Sequence, residues 1–136
     1  MSDKTQKVKP QPTTVDRLLG INARPPREQL IQFRGWTDGE GTPVVFRLRE
    51  LSYNRVREIQ QMSGRDNMAA AIITAGVVEP DLRDERLQTA LGVATPYDVV
   101  KRLLRAGEIE DLQAAIEKLS GYRGSTLELL ADIEKN

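Results

Sequence analysis

The sequence predicts an α+β fold that is mainly helical, with an N-terminal β-hairpin followed by a bundle of about five short helices. Two observations lead to this class. Residues 29–36 and 43–51 carry β-branched and aromatic side chains in partial alternation on either side of the turn-rich segment TDGEGT. After Ser52, apolar residues recur at helical spacing and are separated by cap residues, glycines and prolines.

We expect a single domain preceded by a short tail. Residues 1–13 are polar and have too little apolar surface to offset the entropy of ordering, which predicts a flexible polar tail. Residues 14–136 are expected to form one α+β domain. Within it, residues 14–51 supply a short helix and the hairpin, and residues 52–136 supply the helical part.

The first segment of this domain predicts a helix and then a half-buried sheet. Thr14 is a plausible N-cap for a helix over residues 15–22, and the two prolines of ARPPRE break the chain after it. The alternation of the second strand puts two sets of side chains on opposite faces: Val44, Phe46 and Leu48 on one, and Val45, Arg47 and Arg49 on the other.

The helices after the hairpin are expected to begin at caps and end at glycines. A helix capped by Ser52 carries Tyr53, Val56 and Ile59 on one stripe and ends at Gly64. The next helix begins at Asp66 or Asn67 and includes MAAAIITAGVV, residues 68–78. It is apolar on nearly every side, which is typical of a helix that is buried or lies in an interface.

Three further helices are predicted from the same kinds of cap and stop residues. Thr95-Pro96 is an N-cap followed by proline at the first helical position, and that helix is expected to end at Gly107. The helix that follows should end at Gly121. The segment STLE, residues 125–128, has the spacing of a capping box and predicts a last helix. Its apolar stripe would be Leu127, Leu130 and Ile133.

Four acids at residues 79–85 raise the question of a carboxylate site. Each has an explanation at a helix end. Asp81 is a plausible N-cap for a helix that ends at Gly92. Asp84 and Glu85 would lie near the start of that helix, where acids favour the positive end of the dipole. A metal site here would need ligands from elsewhere, since the chain has no histidine and no cysteine. We expect no metal and no cofactor.

Composition also argues against an enzyme. Without cysteine and histidine, the chain lacks thiolate nucleophiles, the Ser-His-Asp triad and the commonest general base. A carboxylate-only or magnesium-dependent enzyme stays open as an alternative. No segment matches a nucleotide-binding fingerprint. The N-terminus has no apolar signal region, and the longest apolar run is about half the length of a membrane span. We expect a soluble intracellular protein without enzymatic activity or membrane contact.

Charge is zero overall but uneven along the chain. Residues 1–65 carry 12 Lys/Arg and 7 Asp/Glu, whereas residues 66–136 carry 8 and 13. This asymmetry suits head-to-tail self-association, for which Arg47 and Arg49 are the candidate residues, although an accident of a small sample explains it equally well. Arginines interleaved with Phe46 and Tyr53 suit nucleic-acid binding. Nucleic-acid-binding domains usually carry a strongly positive charge, so the zero net charge of this chain makes that partner unlikely.

Several motifs appear in a recognisable order. They are VVFRLRELSYNRVREI, MAAAIITAGVVEPDL, ERLQTALGV, the Pro96 helix with its LL pair, and AGEIEDLQAAIEKLSGY. In this order and spacing, residues 43–122 resemble the tail assembly chaperones of tailed phages, in the branch found in Bacillus myophages and defective prophages. Residues 1–28 lie outside the resemblance, and RGSTLELLADIEKN is longer than expected after GY.

The resemblance implies a non-enzymatic chaperone that acts in the host bacterial cytoplasm. Its partner would be the tape measure protein, which it keeps soluble while the tail tube assembles, and it would be absent from the mature virion. The resemblance also implies a homo-oligomer and, in some members, a longer frameshifted form that recruits the tail tube protein. Two alternatives stay open, a structural tail or virion component and a small nucleic-acid-binding regulator.

The partner surface is predicted on the most apolar helices. An apolar groove on a helical protein suits an amphipathic partner helix, although periodicity does not separate such a groove from an ordinary core. The candidate partner-binding residues are Ala70, Ile73, Val77, Val99, Leu103, Ile109, Leu112 and Ile116.

Overall fold

A computed structural model describes residues 10–131 and confirms the α+β, mainly α class. The described residues contain six helices and three strands. In chain order these are α1 (Thr14–Asn22), β1 (Glu28–Ile31), β2 (Phe46–Arg49), α2 (Tyr53–Met62), α3 (Gly64–Gly76), β3 (Val77–Glu79), α4 (Glu85–Leu91), α5 (Pro96–Leu103) and α6 (Ala106–Leu119). The five helices α2–α6 follow the hairpin, as the sequence predicts.

The hairpin forms, with shorter strands than predicted. β1 and β2 pair antiparallel, with Ile31 opposite Phe46 and Glu28 opposite Arg49. The strands were predicted over residues 29–36 and 43–51. The observed first strand ends earlier because the chain turns at Gly35, whose φ is +79°. Beyond it the Asp38 carboxylate accepts backbone hydrogen bonds and organises a loop. Phe46 and Leu48 face the core and Arg49 faces solvent, as alternation predicts.

A third strand was not expected. The sequence predicts helix over residues 68–78, but α3 ends at Gly76 and β3 begins at Val77, which pairs with Leu48 of β2. Two β-branched residues and a glutamate before Pro80 favour extended backbone. The partner of β3 lies about thirty residues earlier in the chain, so a local pattern does not reveal the pairing.

The core is built around α3. This helix contacts α2, α5 and α6, and its buried residues include Ala70, Ile72 and Ile73. The sheet contributes Phe46 and Leu48 to the same cluster. The prediction that the alanine-rich helix is buried is therefore confirmed. On α2, Val56 and Ile59 are buried, but Tyr53 is 70% exposed and does not join the predicted stripe.

Several predicted helix ends are wrong by a few residues. α3 begins at Gly64 rather than at Asp66 or Asn67, and α2 ends at Met62 rather than at Gly64. The N-cap of α1 is Thr13, not Thr14, and it forms a capping box with Asp16. These pairs of candidate caps are close in sequence, and tertiary packing decides between them.

The largest boundary errors surround α4 and α6. Asp84, not Asp81, caps α4, because the Asp81 carboxylate instead accepts the backbone N–H of Arg83 in the preceding turn. Gly107 lies in the first turn of α6 and does not end α5, whose last residue is Leu103. The caps at Ser52 and Thr95 are confirmed, as is the stop at Gly92, where φ is +67°.

The predicted last helix is absent from the described residues. Residues 122–131 follow α6 without regular secondary structure, and Ser125 makes only a local hydrogen bond with Leu127. A short helix needs packing to be stable, and the leucines of this segment contact no core. Ile133 lies outside the described residues, as do residues 1–9 of the predicted tail.

Candidate partner-binding surfaces

The exposed apolar side chains concentrate at the two ends of the described chain. α1 has no buried residue, and Val15, Leu18, Leu19 and Ile21 are each more than half exposed. We call these four residues the α1 stripe. At the other end, Leu127, Leu129 and Leu130 are almost fully exposed. Contiguous exposed apolar groups of this kind commonly mark interaction surfaces.

Local interactions alone hold α1 together. Thr13 Oγ1 accepts the backbone N–H of Asp16 at 3.1 Å, and the Asp16 carboxylate accepts the backbone N–H of Thr13 at 2.8 Å. Hydrogen bonds from the backbone N–H and then the hydroxyl of Thr13 lower the pKa of Asp16. A helix of nine residues without a packed face is marginal in isolation, so a partner that covers its apolar stripe stabilises it.

A wide groove lies between α6 and the segment that leaves β1. Its volume is about 700 Å³. Ile31, Phe33, Leu112 and Ala115 form an apolar floor, and the charged rim consists of Arg34, Arg105, Glu108 and Asp111. We call it the α6–β1 groove. An apolar floor with charges of both signs on its rim suits an amphipathic helix.

An aromatic cluster holds Phe33, which lines this groove, in place. The ring of Phe33 lies 5.1 Å from that of Trp36 and 5.4 Å from that of Phe46, between ring centroids. Trp36 Nε1 donates to Glu108 Oε2 at 2.9 Å, and Glu108 Oε1 accepts the backbone N–H of Arg105 at 2.8 Å. Glu108 therefore ties the loop after β1 to the start of α6, which preorganises the groove.

A second, smaller groove lies on the other side of α6, against α2 and α3. It has a volume of about 160 Å³. Leu51, Val56, Met68, Ile72 and Tyr122 supply most of its apolar lining. We call it the α6–α2 groove. Its end is fixed where Ser120 Oγ accepts the backbone N–H of Leu51 at 2.8 Å and donates to the carbonyl of Ile116 at 2.7 Å.

The outer face of the sheet carries the two arginines predicted for self-association. Arg47 pairs with Glu79 of β3, with 3.0 Å between Nη2 and Oε1, and its buried Nε has no hydrogen-bond partner among the described residues. Arg49 is exposed on the same face. Arg47 is therefore engaged within its own chain, whereas Arg49 is presented to solvent.

Most of the predicted partner-binding residues lie in the core. Six of them are buried side chains: Ala70, Ile73, Val77, Val99, Leu112 and Ile116. Leu103 and Ile109 are half-buried against the same cluster. Partner binding through the six buried side chains would require the fold to open. Two of the eight predicted residues line one of these grooves. Leu112 lines the α6–β1 groove, and Ile116 lines the α6–α2 groove.

Sequence reasoning missed both the α1 stripe and the α6–β1 groove as surfaces. The signal for the first was available, because an amphipathic helix stands between a polar tail and the Pro25-Pro26 pair, away from other apolar segments. The groove joins residues 31–34 to residues 105–115, and no local pattern links segments so far apart.

The prediction of a helix-end role for all four acids is confirmed for Asp84 and Glu85, at the start of α4, and is wrong for the other two. Asp84 accepts bonds from the backbone and guanidinium of Arg86, which lower its pKa to about 2. Glu79 pairs with Arg47, and Asp81 holds a turn. Within residues 10–131, no group of three or more Asp or Glu side chains is arranged to hold a metal ion. Over the same residues, no helix is long and apolar enough to cross a membrane.

Comparison with solved structures supports the fold. A crystal structure of the protein yqbn matches with a TM-score of 0.61 and 22% sequence identity, over 72% of this chain and 87% of that one. At this identity the likeness concerns the fold alone. No curated protein matches the sequence.

A family comparison matches nearly the whole chain. The sequence model of the phage XkdN-like tail assembly chaperone proteins matches residues 15–134. This range includes α1, the hairpin, the helical part and the C-terminal segment, and it extends beyond residues 43–122, where the sequence motifs lie. The chain therefore belongs to the phage XkdN-like tail assembly chaperone family.

Proposed function

We propose that this protein is a non-enzymatic chaperone that binds the tape measure protein and keeps it soluble while the tail tube assembles. Family membership supports the chaperone role. The main structural observation that supports partner binding is the α6–β1 groove, which has an apolar floor, a charged rim and Phe33 of the aromatic cluster in its lining. The α1 stripe adds a second apolar surface.

The proposed mechanism is reversible burial of amphipathic helices. A tape measure helix lays its apolar face on the floor of the groove, and the rim residues pair with charges along its edges. Apolar burial contributes about 25 cal/mol per Å² before the costs of ordering are subtracted. A modest affinity per site allows many copies to coat the tape measure protein and the tube subunits to displace them.

The place of action follows from this role. The chain acts in the host bacterial cytoplasm during assembly and leaves before the virion is complete. A longer frameshifted form would extend the same body toward the tail tube protein. Purified virions should then lack this chain in mass spectrometry, whereas a structural tail component would be present in them at a fixed copy number.

Gly107 offers a direct test of the groove. It lines the α6–β1 groove, and a Cβ added there meets no atom within 4 Å. The substitution Gly107→Trp therefore adds a bulky side chain at the groove lining without removing a core contact. We expect it to abolish co-purification of the tape measure protein, while the fold is retained by circular dichroism.

The matched control is Gly107→Ala, which leaves the groove open and favours helix. This variant should co-purify the tape measure protein as well as the unmodified chain does. Equal recovery with the alanine and tryptophan variants would show that the partner binds elsewhere, and the α1 stripe would then become the first surface to examine.

A further inference from the structure

The C-terminal segment, residues 125–131, exposes an unusual amount of apolar surface. Leu127 is 77% exposed, Leu129 is 95% exposed and Leu130 is 84% exposed. The α6–α2 groove, which is also apolar, lies next to the point where this segment leaves α6. An exposed apolar segment and an open apolar groove are thus neighbours in one chain.

The groove has room for a leucine side chain. Its volume is about 160 Å³, and apolar residues of α2, α3 and α6 line most of it. A cavity of roughly 150 Å³ with similar walls accepts a benzene-sized group. Gln60, Gln113 and Glu117 stand among the apolar side chains and leave polar positions along the edge.

The connection between groove and segment is short and adjustable. Tyr122 lines the groove, and its backbone N–H bonds to the carbonyl of Glu117 at 2.9 Å. Arg123 pairs with the Glu117 carboxylate at 3.2 Å. Gly121 and Gly124 have φ values of +95° and +121°, so small changes at these two glycines redirect the chain that follows.

The sequence of the segment favours a helix once a surface supports it. Ser125 and Glu128 have the spacing of a capping box, and Ser125 Oγ already accepts the backbone N–H of Leu127 at 3.2 Å. In a helix Leu127 and Leu130 lie on one face and Leu129 on the opposite face. So short a helix is marginal in water, so its formation is coupled to docking.

We propose that the C-terminal segment docks as a helix into the α6–α2 groove of its own chain, with Leu127 inserted and Leu130 lying along the groove edge near Gln60. In the described structure the segment is undocked, and we assign this as the open state. Docking occurs within one chain because only Arg123 and Gly124 separate Tyr122 from the segment, which gives a local concentration of about millimolar or more. Opening exposes the groove and the leucines together, so one event presents two apolar surfaces.

Crosslinking tests the docked state without any partner. The chain has no cysteine, so the pair Gln60→Cys and Leu130→Cys can be joined by a short bis-maleimide. Gln60 is exposed on α2 at the edge of the groove, so the change leaves the core intact. We expect a crosslinked monomer that forms at least fivefold faster than with the control pair Gln60→Cys and Leu129→Cys.

Equal rates for the two pairs would overturn the proposal, because they would show no preferred face. Crosslinked dimers in place of monomers would overturn docking within one chain and assign the groove to the segment of a second copy. The tape measure protein is absent from this experiment, so its outcome does not depend on the proposed chaperone function.

Hydrogen exchange gives a second, independent measurement. Amides of residues 127–131 should exchange at least tenfold more slowly than in the variant Leu127→Glu/Leu130→Glu, whereas Leu129→Glu should retain the protection. All three side chains are exposed, so these variants keep the folded core. Exchange at the rate of an unstructured peptide in the unmodified chain would refute docking.

Discussion

At the scale of single residues, Gly76 shows how closely α3 and α6 pack. A Cβ at this position would lie 2.6 Å from Ile116 Cγ2 and 2.7 Å from Ile116 Cδ1. Ile116 is fully buried and β-branched, so its side chain adjusts less easily than a flexible one would. The sequence shows a glycine before two valines and gives no sign of this contact, because Ile116 lies forty residues later.

Gly76→Ala should therefore destabilise the fold. Overpacking a core costs about 1–3 kcal/mol, which outweighs the gain of up to about 1 kcal/mol from replacing a helical glycine. Urea denaturation measures the free energy of unfolding. Gly107→Ala is the control, since its Cβ enters open space and should leave stability unchanged or raised. A stabilised Gly76→Ala variant would show that the two helices separate more easily than the contact implies.

The lowered pKa of Asp84 leads to a prediction about the stability of the fold at low pH. Its pKa is lowered from 3.8 to about 2 by hydrogen bonds from the Arg86 side chain and backbone. A lowered pKa in the folded state means that the ionised cap stabilises the fold above about pH 4. This contribution is lost as the pH falls toward 2, because protonation removes it. Asp84→Asn should flatten the fall in unfolding free energy over that range, and an unchanged profile would count against the cap.

At the scale of elements, α1 stands apart from the other helices. None of its residues is buried, and its capping box forms without contributions from the rest of the fold. It therefore behaves as an accessory element whose apolar face is available to another protein. The linker that follows contains Pro25-Pro26, which separates it from β1.

Leu18→Glu/Leu19→Glu should separate folding from binding. Both side chains are more than half exposed, so the free energy of unfolding should change by no more than about 0.5 kcal/mol. Recovery of the tape measure protein in a pull-down should fall. Met62→Glu, at the exposed last residue of α2, is the matched control and should retain binding. A large loss of stability in the α1 variant would show that α1 packs on the body in solution.

Elements with local signals were predictable from the sequence. The Ser52 and Thr95 caps, the Gly92 stop and the alternation of β2 all depend on neighbouring residues, and each is confirmed. β3 was missed because its strand partner is remote in sequence. The helix predicted from residue 125 does not form in the described part, because a capping box without a packing surface is insufficient.

At the scale of the whole molecule, neither groove was predictable. The α6–β1 groove depends on how the loop after β1 is tied to α6 through Trp36 and Glu108, and those residues are 72 positions apart. Periodicity identified apolar faces correctly, but most of the strongly apolar positions, such as Ile73 and Val99, became core. Most of the exposed large apolar side chains lie instead in α1 and in residues 122–130, near the two ends of the described chain.

The uneven charge of the chain leads to a prediction on self-association. If basic front and acidic back halves attract between copies, Arg49→Glu should lower the oligomer mass at low salt and remove its salt dependence. Arg49 is the better choice because Arg47→Glu would also place two acids together with Glu79. Sedimentation of the unmodified chain as a salt-independent monomer would contradict electrostatic stacking.

The most direct test of the chaperone role is co-expression with the tape measure protein of the same phage, followed by native mass measurement of the purified complex. We expect a soluble tape measure protein that carries many copies of this chain, whereas the tape measure protein expressed alone precipitates. A tape measure protein that precipitates equally in both cases, with this chain remaining alone in solution, would contradict the account.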